Sequence, residues 1–371
     1  MRPELLPELK THPTVFAVGD EYQIMVPVKS DLLFWVTVGD RAYYDHSNGI
    51  MRSATWLHRV TVPMAELDKA GAYTVHYRKI IERIPYFSTT EDPVGMEYPF
   101  RPLTPGKDLK ILHLSDTHGN FAGPAGAAAY IGDEADLLIL NGDLPDHSGI
   151  IENFNLIYEL GGELTGGGIP CVFSRGNHDT RGICAEKLAD YTPTNKGVSY
   201  FTLRLGPVWA LVLDCGEDKP DEHAAYGHTT CFHAFREEQT RWLEKVCAHK
   251  EYLADGIEHR IVIAHQPFTH VQEPPFDIEQ DIYARWTRLI GEYIDPEMII
   301  CGHLHTTEVS LPGGRLDQHG QTCPVVVGGN PIYEKGKGYV DYIGSVITLN
   351  KDGATVEFVN SSADVIETIG I

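Results

Sequence analysis

The sequence predicts an α/β fold with two packed sheets flanked by helices, preceded by an all-β region. Three observations predict it. From Asp108 onward, short apolar runs alternate with helical segments, as they do when helices lie on the faces of a sheet. Up to about residue 100 only short β-rich runs occur, separated by turn formers. The chain has 371 residues, more than one hydrophobic core usually serves, so two units are expected, 1–104 and 105–371.

In the first unit, Thr14–Val18, Gln23–Val28, Leu32–Val38, His58–Val62 and Tyr73–Ile80 are rich in Val, Tyr and Phe and often alternate in polarity. Gly19-Asp20, Gly39-Asp40 and Asn48-Gly49 supply turns between them. The stretch from Leu67 to Val75 resembles the tyrosine corner of an immunoglobulin or fibronectin type III sandwich, with Tyr73 entering the penultimate strand. No set of metal ligands or nucleophiles occurs here, which predicts a structural or docking role. The proline-rich segment from Tyr98 to Gly106 reads as a linker.

In the second unit, strands are predicted at Leu109–Leu114, Asp136–Leu140, Cys171–Phe173, Ser199–Leu205, Val208–Leu213, Ile261–Ala264 and Met298–Cys301. Helices are predicted near Pro124–Ile131 and Ile151–Leu160, and over Phe235–His249 with Phe235, Trp242 and Val246 on one face. The end is strand-rich: Val325–Val327, Val346–Leu349 and Thr355–Val359, the last two joined across Lys351-Asp-Gly353. Trp209 and Trp242 are expected in the core.

Composition narrows the function. The chain is 42% hydrophobic and has no apolar run long enough to span a bilayer. Its first residues lack the basic-then-apolar plan of a secretory signal. Seven cysteines, all after residue 170 and without a CxxC pair, predict reduced thiols and a cytoplasmic protein. A formal charge of −22 disfavours nucleic acid as a partner, because that binding needs a cationic surface. A small anionic substrate stays compatible, since bound dications reverse the local field.

The chemistry lies in five clusters, each placed where an apolar run stops. They are Asp116-Thr-His118; Gly142-Asp143 with Asp146; Ser174-Arg-Gly-Asn-His-Asp179; His265; and Gly302-His303-Leu-His305. Strand ends are where open α/β sheets deliver functional side chains. Residues i and i+2 of an extended segment face the same side, so Asp116 and His118 can both face one metal, and His303 and His305 share that geometry. Asp143 has two carboxylate oxygens and is the natural shared ligand, while Asn177 offers an amide oxygen. Any one of these histidines alone fits a surface or core role; together they form a ligand set. Imidazole with carboxylate suits manganese, iron or zinc better than calcium or magnesium.

This ordered set resembles the calcineurin-like metallophosphoesterase superfamily, over about residues 109 to 360. The resemblance implies two transition metal ions. Asp116, His118, Asp143 and His305 would hold the first; Asp143, Asn177, His265 and His303 the second. It further implies hydrolysis of a small phosphate mono- or diester by a hydroxide bridging the metals, with His178 as general acid or phosphate contact. Asp146 falls where the serine/threonine phosphatase branch places an Asp orienting that histidine. His147 falls where that branch has a phosphate-binding Arg, and Arg175 matches the Arg of its Arg-Gly-Asn-His motif, so both are substrate-binding candidates. The preceding sandwich makes the whole similar to purple acid phosphatases, with two departures. Those enzymes carry a ligand Tyr where Asp146 stands, and they lack the histidine present here as His118. The competing expectation is a non-catalytic scaffold of the same fold, although no ligand is missing. The polar stretch Gly216–His233, with His223, His228 and His233, is either a solvated loop or a lid.

Overall fold

The computed structural model describes residues 2–46 and 51–371, so the turn expected at Asn48-Gly49 lies outside the described residues. The first region contains β1 (Thr14–Val18), β2 (Glu21–Pro27), β3 (Leu32–Val38), β4 (Arg41–Tyr44), β5 (Leu57–Pro63), helix α1 (Met64–Ala70), β6 (Ala72–Glu82), β7 (Thr89–Thr90) and β8 (Val94–Pro99). It is a β sandwich. Strands β1-β2-β5 form one layer, and β4-β3-β6 with β7 and β8 form the other. Strand β3 buries every second residue, as a strand with one covered face does.

The second region runs β9 (Leu109–Leu114), α2 (Ala122–Ala128), β10 (Leu137–Asn141), α3 (Asn155–Thr165), β11 (Pro170–Ser174), α4 (Leu188–Tyr191), β12 (Phe201–Leu205) and β13 (Val208–Leu213). Then come α5 (Phe232–His249), β14 (His259–Ala264), α6 (Gln280–Leu289), β15 (Met298–Cys301), β16 (Glu308–Ser310) and β17 (Val325–Val327). It closes with β18 (Asn330–Glu334), β19 (Gly338–Asn350), β20 (Gly353–Asn360) and β21 (Val365–Gly370). Parallel strands β9, β10 and β11 form the centre of one sheet, and β13, β14 and β15 that of a second. Alternate residues on these strands face different cores. Ile111, Ile139, Val172, Ala210, Ile263 and Ile300 meet between the two sheets. Leu112, Leu138 and Phe173 pack under α2 and α3, while Leu211, Val262 and Ile299 pack under α5 and α6. Parallel strands covered on both faces explain why these runs are apolar throughout.

The sandwich is not hung on a linker. Strand β1 pairs in parallel with β11, Val15 opposite Pro170, so β1, β2 and β5 continue the sheet of the second region. The expected boundary at 104/105 therefore falls within one sheet and one core, which joins Ile24 and Val75 to Ile111 and Val212. The tyrosine corner is altered accordingly. Of the residues expected to form the corner, 67–70 end helix α1, Gly71 closes it in the left-handed region (φ 64°), and 72–75 begin β6. The Tyr73 hydroxyl donates not to its own corner but to the Gly167 carbonyl ahead of β11 (2.9 Å). The predicted linker also begins inside β8, an edge strand where Pro99 is tolerated.

Helix α5 starts at Phe232; Arg236, Gln239, Thr240, Leu243 and Cys247 are its fully buried residues, while Trp242 and Val246 are half-buried and pack against the same core and Phe235 is half-buried. Polar residues can be buried there because each is answered. The Arg236 Nε–H donates to the Cys215 carbonyl (2.7 Å), and the Gln239 amide donates to the Asp214 carbonyl (2.7 Å). Among the described residues no helix is long and apolar enough to cross a membrane.

A chain beginning at Thr104 loses the neighbour of β11 and leaves half of the shared core open. Each exposed Val, Ile or Leu costs about 1.5–3 kcal/mol. Such a chain is expected to be insoluble or molten, with near-UV circular dichroism lost. A soluble protein with an unchanged spectrum would show that the sheet closes without β1.

Candidate metal centre

All five clusters converge at the C-terminal ends of β9, β10, β11, β14 and β15, where the two sheets come together at one end. Asn141, the last residue of β10, ties the sheets across this gap. Its amide donates to the carbonyl of Ile300 (3.2 Å) and to His113 Nε2 (3.2 Å), and its carbonyl accepts from His265 Nδ1 (2.7 Å). His113 is fully buried, and burial pushes its pKa down to about 3, so it serves this lattice as a neutral group.

The i, i+2 pairs are brought together, but not by extended backbone. Asp116 (φ 54°), His118 (44°), Asp143 (52°), His303 (70°) and His305 (48°) all lie in the left-handed region that side chains other than glycine avoid. Each follows a strand end and turns sharply back toward the others. The crossing loops need glycine at their closest points: a Cβ on Gly302 would lie 1.9 Å from Ser115 Oγ, and one on Gly176 would lie 2.2 Å from Asp143 Oδ1. Strain of this kind persists only where surrounding structure enforces it, and it clusters at functional sites.

Each carboxylate keeps one oxygen for the protein and turns the other inward. Asp116 Oδ2 accepts from Ser115 Oγ (2.5 Å) and His303 N (2.8 Å), while its buried Oδ1 has no hydrogen-bond partner. Asp143 Oδ1 accepts from His178 N (2.7 Å), and its Oδ2 lies 3.2 Å from His265 Nε2. Because His265 Nδ1 donates to a carbonyl, Nε2 is the free ligand atom, and it too is buried without a hydrogen bond. Among the described residues three donor groups result, Asp116-His118-His305, Asp143-His265-His303 and His118-Asp146-His178, the last sharing His118 with the first, with the ligand atoms of each within 4.8 Å of one another. His118 and His305 approach to 2.9 Å through Nε2. Asn177 Oδ1 lies 3.0 Å from His303 Nδ1, and its amide nitrogen donates to Asp218 (3.4 Å), which aims the oxygen at the cluster. Orphaned inward-facing atoms in a mixed N/O set are what a pair of transition metal ions would satisfy.

Charge balance says the same. Burial alone would raise the Asp143 carboxyl, but the adjacent His265 overrides it and holds the group well below the usual range. Burial would lower His265, but Asp143 and Asp116 drive its pKa up to about 10. Burial pushes His303 down to about 4, so that imidazole is already neutral. Asp179 is raised to about 7, by burial first and by Asp143 second; its Oδ2 accepts from Gly176 N (2.7 Å) and Asp143 N (3.1 Å).

The residues expected around the ligands fare differently. His178 Nδ1 donates to the main-chain carbonyl of Asp146 (2.7 Å), not to its side chain. The Asp146 carboxylate is mostly exposed and lies 3.6 Å from His118 Nδ1. Arg175 turns onto buried Asp214 (2.6 Å) and the Phe235 ring (5.5 Å to its centroid), and its partners include no ligand residue. His147 is exposed and accepts from Gly149 N (2.9 Å) within its own loop.

The cation beside His178 is instead Arg181, whose Nη1 donates to His178 Nε2 (2.7 Å). Its Nη2 is held by Glu217 (3.1 Å) and Asp218 (2.9 Å). The Gly216–His233 stretch thus anchors this arginine through its buried acids. Its histidines bond elsewhere: His223 accepts from Ala225 N (3.2 Å) and His233 faces Glu279 (2.9 Å). Sequence reasoning missed Arg181, Glu217, Asp218 and the role of Asp179. Only the position of Arg181 just after the Asn-His-Asp run pointed toward it.

Residues 109–307, more than half of the chain, match the calcineurin-like phosphoesterase family, and the chain belongs to that family. No curated protein matches it in sequence. Among solved structures it is similar to the purple acid phosphatase PPD1 from yellow lupin (Lupinus luteus) seeds. That match has 14% identity and a TM-score of 0.63, over 97% of this chain and 73% of that one. It is also similar to PhoD, with 11% identity and a TM-score of 0.55, over 95% and 87%. At these identities the likeness is one of fold.

Two expectations follow. In the metal-free protein His265 carries a proton at pH 7, and a metal on Nε2 must displace it. Affinity for Mn²⁺ or Zn²⁺ should therefore rise by about tenfold per pH unit below the His265 pKa through this group alone. Titration calorimetry in buffers of different ionisation enthalpy should show at least one proton released; none released would contradict the assignment. Separately, because a main-chain carbonyl holds His178, Asp146→Ala should reduce turnover far less than His178→Ala. Equal losses in steady-state kinetics would restore the orienting role to the Asp146 side chain.

Proposed function

We propose that this protein is a dinuclear metal-dependent hydrolase of small phosphate mono- or diesters, acting in the reducing cytoplasm. The observation that carries the reading is the pair of donor groups, Asp116-His118-His305 and Asp143-His265-His303, each with a buried, partnerless ligand atom. Asp116, His118 and His305 would hold one ion, and Asn177, His265 and His303 the other, with Asp143 shared. When bound, two such ions neutralise phosphoryl charge and acidify a water enough to serve as nucleophile near neutral pH. The donor set favours manganese, iron or zinc.

The chain's own groups do the rest. Asn177, aimed by Asp218, fixes the phosphoryl side of the site. His178 Nε2 lies 4.0 Å from Asp143 Oδ2, within reach of a leaving oxygen next to the shared carboxylate. With Nδ1 tied to the Asp146 carbonyl, Nε2 is the atom that takes up a proton and passes it on. Arg181 donates to that nitrogen in the resting state and must yield as the proton arrives. The seven cysteines are unpaired and six are buried, as suits a reducing compartment.

The test is a manganese-reconstituted activity screen over mono- and diesters, with Asp143→Asn as control. Asp143→Asn should lower kcat by roughly a hundredfold or more, the scale of several kcal/mol of lost charge stabilisation. His178→Ala should cost more with an alkyl leaving group than with p-nitrophenol, because a weakly basic leaving group needs no proton. A protein that binds two metals yet hydrolyses no ester would instead be a scaffold.

A further inference from the structure

Beside the ligand cluster stands a β-hairpin that none of the chemistry above uses. Strand β19 pairs antiparallel with β9, Ser345 opposite His113, so the residues before Ser345 run on past the end of β9. Tyr339 lies six residues further along, on the order of 20 Å at about 3.3 Å per residue. The hairpin therefore rises above the edge where Asp116 and His118 sit. Its base is fixed there: the Tyr342 hydroxyl donates to the Ser115 carbonyl (2.7 Å) and accepts from Ser115 N (3.0 Å).

The tip is built unlike a simple turn. A β-bulge follows Ile332, after which Tyr333 is paired with Tyr339. Bulges re-aim side chains and are frequent beside active sites. Both tyrosines are exposed, 63% and 40%, with ring centroids 5.6 Å apart at 76°. Lys335 and Lys337 flank them in the turn, Lys337 paired with Glu334 (2.5 Å). The Asp146 carboxylate, 3.6 Å from His118 Nδ1, is also near enough to Tyr339 for its charge, after burial, to raise that hydroxyl.

We propose that this hairpin is the leaving-group subsite and that the ester it takes is a nucleotide, an inference that rests on the phosphoesterase reading. The order of groups carries it. Moving outward from the ligands one meets the mostly exposed Asp146 carboxylate, beside His118, then a pair of exposed aromatic rings edged by lysines. A nucleotide presents matching groups in the same order: phosphate, a sugar with donating hydroxyls, and a flat base. An aliphatic phosphate ester has nothing to set against the rings.

The test uses the metal-reconstituted protein and its Tyr333→Ala, Tyr339→Ala, Tyr333→Phe and Tyr339→Phe variants, titrated calorimetrically with adenosine 5′-monophosphate and with inorganic phosphate. Stacking on one aromatic side chain predicts about a tenfold loss of nucleotide affinity in each alanine variant. Phosphate affinity should be unchanged, and the phenylalanine variants should bind like the wild type. In kinetics, kcat/KM should fall similarly for the nucleotide and stay constant for glycerol phosphate. Undetectable nucleotide binding, an affinity that ignores both tyrosines, or an equal loss for phosphate overturns the subsite. Tyrosine-dependent nucleotide binding without hydrolysis of either ester sinks the hydrolase reading and leaves the subsite standing. Good glycerol phosphate turnover with tyrosine-independent nucleotide affinity does the reverse.

Discussion

The constraint that governs this molecule is the burial of three carboxylates, Asp116, Asp143 and Asp179, at one end of two sheets. Charges removed from water are tolerated only when paired or neutralised. Here the protein offers one cationic imidazole at the centre, His265, and pushes Asp179 toward neutrality. Backbone N–H groups take one oxygen from each of the three acids and leave the others turned inward. The arrangement is self-consistent only with positive charge between the acids. The surrounding architecture, from the bridging Asn141 to the glycines at the loop crossings, keeps those acids from moving apart.

Backbone strain belongs to the same design. Five of the candidate ligand residues adopt left-handed conformations, each costing of order 1–3 kcal/mol. The cost is met where strands β9, β10 and β15 leave deep, fully packed layers, because a rigid strand end can impose a turn that a free loop would relax. Function is thus placed at the best-supported points of the fold.

Much of this was legible in the sequence, for definite reasons. Apolar runs that stop at an Asp, Asn or His mark strand ends, so all seven ligand candidates could be named and were found together. The reason assigned to the i, i+2 pairs was different, because extended backbone was expected where left-handed turns occur. Partners set by tertiary contact were not legible. Arg175 and Arg181 look equivalent in sequence, yet one is drawn to Asp214 and the other to His178, Glu217 and Asp218. Nothing local reveals which arginine meets a buried acid forty residues away. The shared sheet was hidden for a similar reason: β1 reads like any sandwich strand, and its pairing with β11 has no local signal.

That pairing has a consequence for how the chain is made. Strand β1 can find its parallel neighbour only after Pro170 has been synthesised, and at about 5–20 residues per second the wait is on the order of ten seconds. Through that interval the apolar edge of β1 is open, and the β1-β2-β5 layer is an unfinished surface looking for a strand. Pairing of this sequence separation also slows folding, since the loop must close before the contact is rewarded. The N-terminal sandwich is thus an early-made, late-completed part of the protein. Its need for protection while nascent is written in the order of its sheet.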